Sequence, residues 1–310
     1  ANGVIIITTK RGKEGKARVN FDAYYGFSGT PNFQHGMVGD EWMNYQREAY
    51  KYIHGQAPAD DASLFGNVDY LNAYQAGKWI DWVDKIKNTA TQQKYSLSVA
   101  GGTKKTKIFA SAGFTKQDGL IKTDNQKIYQ LRMNIDQELN KWLSASFTSN
   151  LNYSDRNMGS RHTFIKAMKA MPLGDAYTED GEINYKYCGG LTTPLGDFIK
   201  NQYEENVRTT YINVSGSLNW TPFKGLSAKT TFNGILKHAR NGKFRGEKCS
   251  ATAPSYSSLP FAESSNTNNW QYSWENVISY NKSIGDHSFG GQLISSYIVG
   301  ETEFSRAYSN

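Results

Sequence analysis

The residue types that most often carry out chemistry in proteins are sparse in this 310-residue chain and are not grouped. The histidines show no His-Glu-x-x-His spacing and have no cysteine partners nearby, which argues against a zinc site. They are His35, His54, His162, His238 and His287. Two carboxylate pairs, Glu179/Asp180 and Glu204/Glu205, have the chemistry for acid–base catalysis, but they lie in polar stretches typical of solvated loops. The sequence predicts no enzyme activity, no metal site and no bound cofactor.

Charge and cysteine usage narrow the possible partners. The net charge is +7, with lysine and arginine spread along the chain and no RNA-binding signature, so we expect a solvated surface and no nucleic-acid partner. Cys188 and Cys249 are far apart and belong to no Cys-x-x-Cys pair. Whether they form a disulfide is left open by the sequence.

Aromatic side chains with polar neighbours are concentrated in two long polar segments, 28–94 and 154–208. Such aromatic platforms suit sugar or peptide ligands, and capping of another protein is equally compatible. The alternative is that the rings pack each segment onto itself. Short helices are predicted over Asp40–Tyr52, Val68–Asn88 and Thr163–Met171. The candidate contact residues are Trp42, Trp79, Trp82, Arg161, His162, Tyr185 and Tyr187.

The remaining sequence is dominated by alternation with a period of two. In Leu143–Tyr153 the odd positions are mostly apolar and the even positions are all polar, which predicts a strand with one apolar and one wet face. Nine stretches of this kind predict nine strands. They are Arg18–Phe27, Tyr95–Ala100, Lys107–Lys116, Tyr129–Leu139, Leu143–Tyr153, Thr209–Trp220, Leu226–His238, Trp270–Tyr280 and Ser288–Gly300.

Strand length and loop length favour a membrane β-barrel. Most of the strands have about ten residues or more, as transmembrane strands do, whereas strands of soluble proteins centre on about five or six. The connections alternate between long and short along the chain, and outer-membrane barrels separate long external loops from short periplasmic turns in this way. We therefore expect an all-β, antiparallel transmembrane β-barrel whose long extracellular loops carry short helices.

Aromatic residues near the strand ends predict two interfacial girdles. The alternative is that tyrosine and tryptophan are simply common in strands. The residues at the short-turn ends are Trp142, Trp220 and Tyr280; those at the long-loop ends are Phe27, Tyr95, Phe114, Tyr129, Tyr153, Trp270 and Tyr272.

The opening stretch, "ANGVIIITTKRGKEGK", places the apolar run Val4–Ile7 at the beginning of the chain. The run is too short for a membrane helix and lacks the order of charge and apolar residues of a secretory signal. It reads as a strand covered on both faces. We interpret the chain as a piece of a longer protein.

Four motifs resemble the SusC/RagA-type TonB-dependent outer-membrane transporters of Bacteroidetes. Ala1–Gly12 resembles the last strand of that family's plug domain, where a Gly-Ala-Asn-Gly-Val-Ile-x-Ile-Thr-Thr-Lys-x-Gly run leads into the barrel. Asp81–Ile121 resembles its Trp-x-Asp helix, Tyr-x-Leu-x-Val-x-Gly-Gly hairpin and Gln-x-Gly-Ile turn. Tyr129–Leu143 resembles its Arg-x-Asn-x-Asp strand, and Trp274–Leu293 its Glu-Asn-x-x-x-Tyr…His hairpin.

The resemblance implies that residues 1–16 end a plug domain and that residues 17–310 are the N-terminal part of a barrel of about 22 strands. It further implies a bacterial outer-membrane protein that takes up a glycan or peptide with a SusD-like lipoprotein. Energy would come from the TonB–ExbB–ExbD complex, through an N-terminal segment that this chain lacks. The alternative function is a secreted or surface-attached β-sheet binding module, such as an adhesin or carbohydrate-binding protein.

Overall fold

The computed structural model describes residues 10–29, 35–251 and 259–309. Within these ranges, nine long strands form one antiparallel sheet, and a short two-stranded hairpin stands apart from it. The sheet has the order β1-β2-β3-β4-β5-β8-β9-β10-β11. Apart from β6 and β7, which form the separate hairpin, each strand therefore pairs with the strands that precede and follow it in sequence. The nine predicted strands are confirmed, whereas the predicted strand at Val4–Ile7 lies outside the described residues.

The strands are β1 Gly15–Ser28, β2 Ala90–Gly102, β3 Thr106–Asp118, β4 Asn125–Asn140, β5 Leu143–Asn157, β6 Lys186–Cys188, β7 Leu191–Thr192, β8 Tyr203–Trp220, β9 Leu226–Arg245, β10 Phe261–Ile284 and β11 His287–Ser309. The helices are α1 Gly39–His54, α2 Val68–Gln75, α3 Trp82–Ile86 and α4 Arg161–Lys169, with 3₁₀ turns at Asp61–Leu64 and Pro194–Phe198.

One predicted helix is wrong in extent. The sequence predicts a single helix over Val68–Asn88, but the structure has two, α2 and α3. The break follows from Gly77, whose φ of +65° lies in the left-handed region, where a glycine commonly ends a helix. Asp81 then begins α3 by accepting a hydrogen bond from the backbone N–H of Asp84, and Trp79 forms an isolated bridge with Leu173 between the two helices.

The predicted alternation of long and short connections between the strands is confirmed. Because all neighbouring strands are antiparallel, every second connection lies at the same edge of the sheet. The turns at 103–105, 141–142, 221–225 and 285–286 form a short-turn edge, and the connections at 29–89, 119–124, 158–202 and 246–260 form a long-loop edge. The last long loop is shorter than the interval between the predicted strands Leu226–His238 and Trp270–Tyr280, because β9 and β10 continue as a ladder that pairs Phe261 with Arg245.

The two faces of the sheet differ as predicted. In register, Leu97, Ala112, Leu131 and Leu151 form one row on the apolar face. This face is exposed: Leu131 keeps 55% of its surface and Phe232 keeps 53%. The opposite face carries rows such as Asn134, Thr148 and Ser215. A soluble protein rarely exposes so extended an apolar surface without a function for it.

Aromatic rings form a row across four strands near the long-loop edge. Tyr95, Phe114, Tyr129 and Tyr153 are direct partners in register, with centroid distances of 6.5, 5.0 and 6.1 Å. Trp142, Trp220 and Tyr280 lie at the short-turn ends and are each more than 40% exposed. On β8 the residue paired with Tyr153 is Thr210, which lies ten residues before Trp220 at the short-turn end of the same strand. Ten residues at about 3.3 Å each, tilted by about 45°, give roughly 23 Å, close to the height of about 25 Å of the apolar band of an outer-membrane barrel.

The segment before β1 lies on the polar face. The Asn134 side chain donates a 2.6 Å hydrogen bond to the Lys10 carbonyl, and Arg11 forms an ion pair with Asp136. Asn134 and its register partner Phe109 are only 1% and 6% exposed because this segment covers them. Gly12 is buried, and a Cβ there would be 2.7 Å from the Ile108 carbonyl oxygen.

Gly12→Ala is expected to detach this segment from β3. The added Cβ overlaps backbone rather than a movable side chain, and overpacking of this kind costs about 1–3 kcal/mol. Trypsin cleavage after Lys10 and Arg11 in the full-length protein is therefore expected to become about 5- to 150-fold faster. Glu14→Ala, which changes an exposed side chain next to the segment, is the matched control. Equal cleavage rates in both variants would show that Gly12 does not hold the segment in place.

Candidate functional site

The long loops fold into a layer with its own hydrophobic core. Trp82 and Tyr187, both proposed as contact residues, lie in this core with 1% and 5% of their surfaces exposed. Their rings meet edge to face at 4.7 Å, and the Trp82 indole N–H donates to the Met171 carbonyl at 2.8 Å. Burial raises the pKa of Tyr187, which keeps its hydroxyl protonated. Trp82 therefore packs in the core of this layer, and a ligand contact for it stays a prediction.

Trp42 and Trp79 come together in a second group of rings. Trp42 stacks on Phe65 at 6.3 Å and meets Trp79 edge to face at 6.0 Å. Tyr74 contacts both Phe65 and Trp79, at 5.2 and 6.1 Å. The two tryptophans are partly buried against the core, so each has a packing role and keeps some accessible surface.

A charged pair fixes this aromatic group. Arg47 donates to both oxygens of Asp61 at 2.8 and 2.7 Å, and the Tyr74 hydroxyl donates to Asp61 Oδ2 at 2.8 Å. The hydrogen bonds from Arg47 and then Tyr74 lower the pKa of Asp61, so the carboxylate stays ionised at neutral pH. The bidentate geometry ties α1 to the Asp61–Leu64 turn.

The other three predicted residues do not join the tryptophans. Arg161 and His162 occupy the first turn of α4, where Ser160 Oγ accepts from the His162 backbone N–H at 3.1 Å. Burial, followed by Arg245 and Arg161, lowers the pKa of His162, so its neutral form is favoured. Tyr185 lies between two cations, with Lys186 and Lys248 at 5.7 and 5.8 Å from its ring centroid.

An open groove of about 810 Å³ lies between α1, α4 and the β6–β7 hairpin. Its volume is within the usual range for small-molecule sites. Aromatic side chains and lysines line it: Trp42, Tyr70, Tyr187, Lys166, Lys169 and Lys186. We call these six residues the lysine–aromatic groove. Trp42 also borders a second cavity of about 370 Å³, together with Tyr45 and Trp82.

Lys166 is the most unusual residue of the groove. It is only 9% exposed, and its Nζ donates to Thr192 Oγ1 at 2.8 Å. Burial lowers the pKa of Lys166 to about 8, an effect partly offset by the nearby Asp197 and Cys249. Lys166 is not among the residues predicted from the sequence, because a lysine on a short amphipathic helix gives no sign that it will be buried.

A buried carboxylate joins two of the long loops below the groove. Asp197 is 5% exposed and accepts hydrogen bonds from the Thr163 and Ser250 hydroxyls, and from the Ser250 backbone N–H at 2.6 Å. These donors come from two segments, Thr163 from α4 and Ser250 from the 246–251 stretch, so the carboxylate fixes both against the Pro194–Phe198 turn. This arrangement positions Lys166, which lies one turn after Thr163.

The described residues contain no group of three His, Cys, Asp or Glu side chains that could hold a metal ion. None of the helices seen in the same ranges is long and apolar enough to cross a membrane. Cys188 and Cys249 are both buried and are not joined by a disulfide.

Comparisons with known proteins identify the relatives of the chain. No family model matches it. The TonB-dependent receptor P3 of Formosa agariphila is 25% identical over 306 residues, which cover 93% of this chain and 27% of the relative. The TonB-dependent receptor SusC of Bacteroides thetaiotaomicron is 30% identical over 196 residues, covering 61% of this chain and 17% of SusC. Over most of its length the chain is thus similar to TonB-dependent receptors, SusC among them.

The fold agrees with this assignment. A solved structure of the RagAB peptide importer in its closed-closed state matches with a TM-score of 0.74 and 24% identity, over 97% of this chain and 36% of the solved chain. The chain thus spans about a quarter of the length of the P3 relative. TonB-dependent receptors, the proteins that the chain resembles, are outer-membrane transport proteins and not enzymes.

Proposed function

We propose that the nine strands form part of a closed transmembrane β-barrel of about 22 strands. The apolar face would meet lipid and the polar face would line the lumen, with the long-loop edge outside the cell. The exposed leucines and aromatics of one face, and the spacing between the aromatic row and the short-turn tryptophans, support this placement. The fit of the sheet to the RagAB importer chain supports it further.

The proposed activity is TonB-dependent uptake of a nutrient, an oligosaccharide or a peptide, across the outer membrane. The observation that carries it is the combination of a barrel-type sheet with sequence similarity to SusC over 196 residues. In this proposal a SusD-like surface lipoprotein holds the nutrient against the loop layer, and the TonB–ExbB–ExbD complex supplies the energy. The solved chain with a similar fold comes from the RagAB peptide importer, which supports a proposal of such a partner.

Residues 1–16 are proposed to end a plug domain, with the barrel beginning at residue 17. Two contacts support a junction at this point: the Asn134 bond to Lys10 and the Arg11–Asp136 pair hold the chain on the polar face before β1 begins. A segment that leaves a plug inside the lumen would have to cross this face to reach the barrel wall.

Uptake in cells tests this function. Cells that express the full-length protein with its lipoprotein partner are expected to accumulate a fluorescent nutrient conjugate, and collapse of the proton gradient or deletion of tonB is expected to abolish accumulation while leaving surface binding. Uptake that survives both treatments would contradict energised transport. Recovery of the protein in a soluble secreted fraction would instead support the binding-module alternative.

A further inference from the structure

The lysine–aromatic groove has a chemical character that the proposed uptake function does not specify. Lys166, Lys169 and Lys186 all line it, and no carboxylate does. Two cations elsewhere in the loop layer are paired with carboxylates: Arg47 with Asp61, and Lys78 with Asp175 at 2.6 Å. Asp197 lies near Lys166 but is buried and hydrogen-bonded to Thr163 and Ser250, so the groove surface holds a local excess of positive charge that a negatively charged ligand would neutralise.

The lysines are held in different ways. Lys166 is fixed by burial and by its bond to Thr192, while Lys186 donates to the Gly190 carbonyl at 3.2 Å within the β6–β7 turn. Lys169 is exposed in the last turn of α4. One ammonium group is thus rigid and largely desolvated, and two are at the rim, where they can adjust to a ligand.

The aromatic side chains give the groove flat apolar walls. Trp42 is anchored by Phe65 and Trp79, and the Tyr70 ring is packed so closely against the β6–β7 turn that a Cβ on Gly189 would overlap it. Rigid aromatic walls suit the apolar faces of sugar rings, and Gln46 and Thr192 add polar groups for hydroxyls. Because the chain of an acidic oligosaccharide carries both flat ring faces and carboxylates, it matches both features of the groove.

We infer that the lysine–aromatic groove binds a carboxylate-bearing oligosaccharide, with the carboxylates at Lys166, Lys169 and Lys186 and the sugar rings against Trp42 and Tyr70. This inference rests on the proposed uptake function and names the substrate class for it.

Calorimetric titration of the purified full-length protein tests the inference with three probes: α-1,4-trigalacturonate, the neutral α-1,4-galactotriose, and triglutamate as an acidic peptide. Trigalacturonate is expected to bind at least about tenfold more tightly than galactotriose at low ionic strength, where charge interactions are weakly screened. Combined Lys169→Gln and Lys186→Gln substitutions, at exposed positions where folding is not at risk, are expected to remove most of this difference. Equal affinity for the charged and neutral sugars would overturn the inference, and tighter binding of triglutamate would overturn the oligosaccharide class.

The pH dependence supplies a second readout that is specific to Lys166. A bound carboxylate raises the pKa of Lys166 above its value of about 8 in the free protein. Affinity is therefore expected to be constant below pH 8 and to fall by up to about tenfold per pH unit above it. The ammonium group of Lys166 is also influenced by Asp197, Cys249 and Lys186. Lys166→Arg leaves these three residues unchanged and is expected to bind the ligand without this pH step.

A wild-type affinity that does not change between pH 7 and pH 9 would contradict a role for Lys166. Failure here is distinct from failure of the uptake proposal. If energised uptake persists while all three probes bind equally or not at all, only the substrate class is wrong.

Discussion

Phe232→Arg is expected to destabilise the membrane-inserted protein by about 2–4 kcal/mol, whereas Asn233→Arg is expected to have little effect. Phe232 is 53% exposed on the apolar face, between Gly216 and Trp274 in register. On β9, His238 is in register with the aromatic row that contains Tyr153, and Ala228 is paired with Trp220 at the short-turn end. Phe232 therefore lies near the midplane, where a guanidinium in contact with lipid costs most.

Asn233 is a well-matched control because its side chain lies on the opposite face of the sheet from Phe232, at nearly the same depth in the membrane. It lies between Ser215 and Ser273 on the polar face, so an arginine there meets small polar neighbours and no opposing cation in the adjacent strands. Urea titration of the full-length protein folded in lipid vesicles, followed by heat-modifiability on a gel, measures both variants. A similar loss of stability in the two variants would remove the assignment of the faces.

The strands could be predicted from sequence because only one of their faces is apolar. Alternation with a period of two identified Trp270–Tyr280, yet β10 begins at Phe261. In the added stretch, Ser264, Ser265 and Asn266 put polar groups on both faces. A strand that extends past the apolar band is wet on both sides, so the alternation that marks it disappears.

The loop layer was predictable in composition and not in arrangement. Helices at Gly39–His54 and Arg161–Lys169 were anticipated within two residues at each end, because their apolar spacing is local. The Asp197 bonds join residues 34 and 53 positions apart, and Lys166 reaches Thr192 across 26. Nothing in a single sequence marks such pairs, so the groove and its buried lysine could be found only in three dimensions.

The predicted contact residues include both buried and accessible side chains, and the sequence alone could not separate the two. Aromatic side chains in a polar loop predict either ligand contact or packing of the loop onto itself, and the sequence leaves both open. The structure gives Trp82 a buried position and gives Trp42 a position on two cavities. Whether any of the seven contacts a ligand stays a prediction, and Trp82 offers the clearest test of the packing role.

Trp82→Ala is expected to destabilise the loop layer by about 3–5 kcal/mol, the usual cost of truncating a large buried aromatic residue. The substitution removes the contact with the Tyr187 ring and leaves the Met171 carbonyl without its indole donor. Limited proteolysis of the full-length protein is expected to cut the 35–89 and 158–202 segments at least about a hundredfold faster, while heat-modifiability of the sheet is retained.

Two further variants separate packing from hydrogen bonding. Trp82→Phe keeps an aromatic ring in the core but loses the bond to Met171 and part of the buried ring volume, so it is expected to cost about 1–3 kcal/mol, less than Trp82→Ala. Trp79→Ala removes a ring that is only partly buried, and its effect on protease resistance is expected to be smaller than that of Trp82→Ala. If Trp82→Ala left the loops resistant to protease but abolished nutrient binding, a ligand contact rather than packing would be the role of this residue.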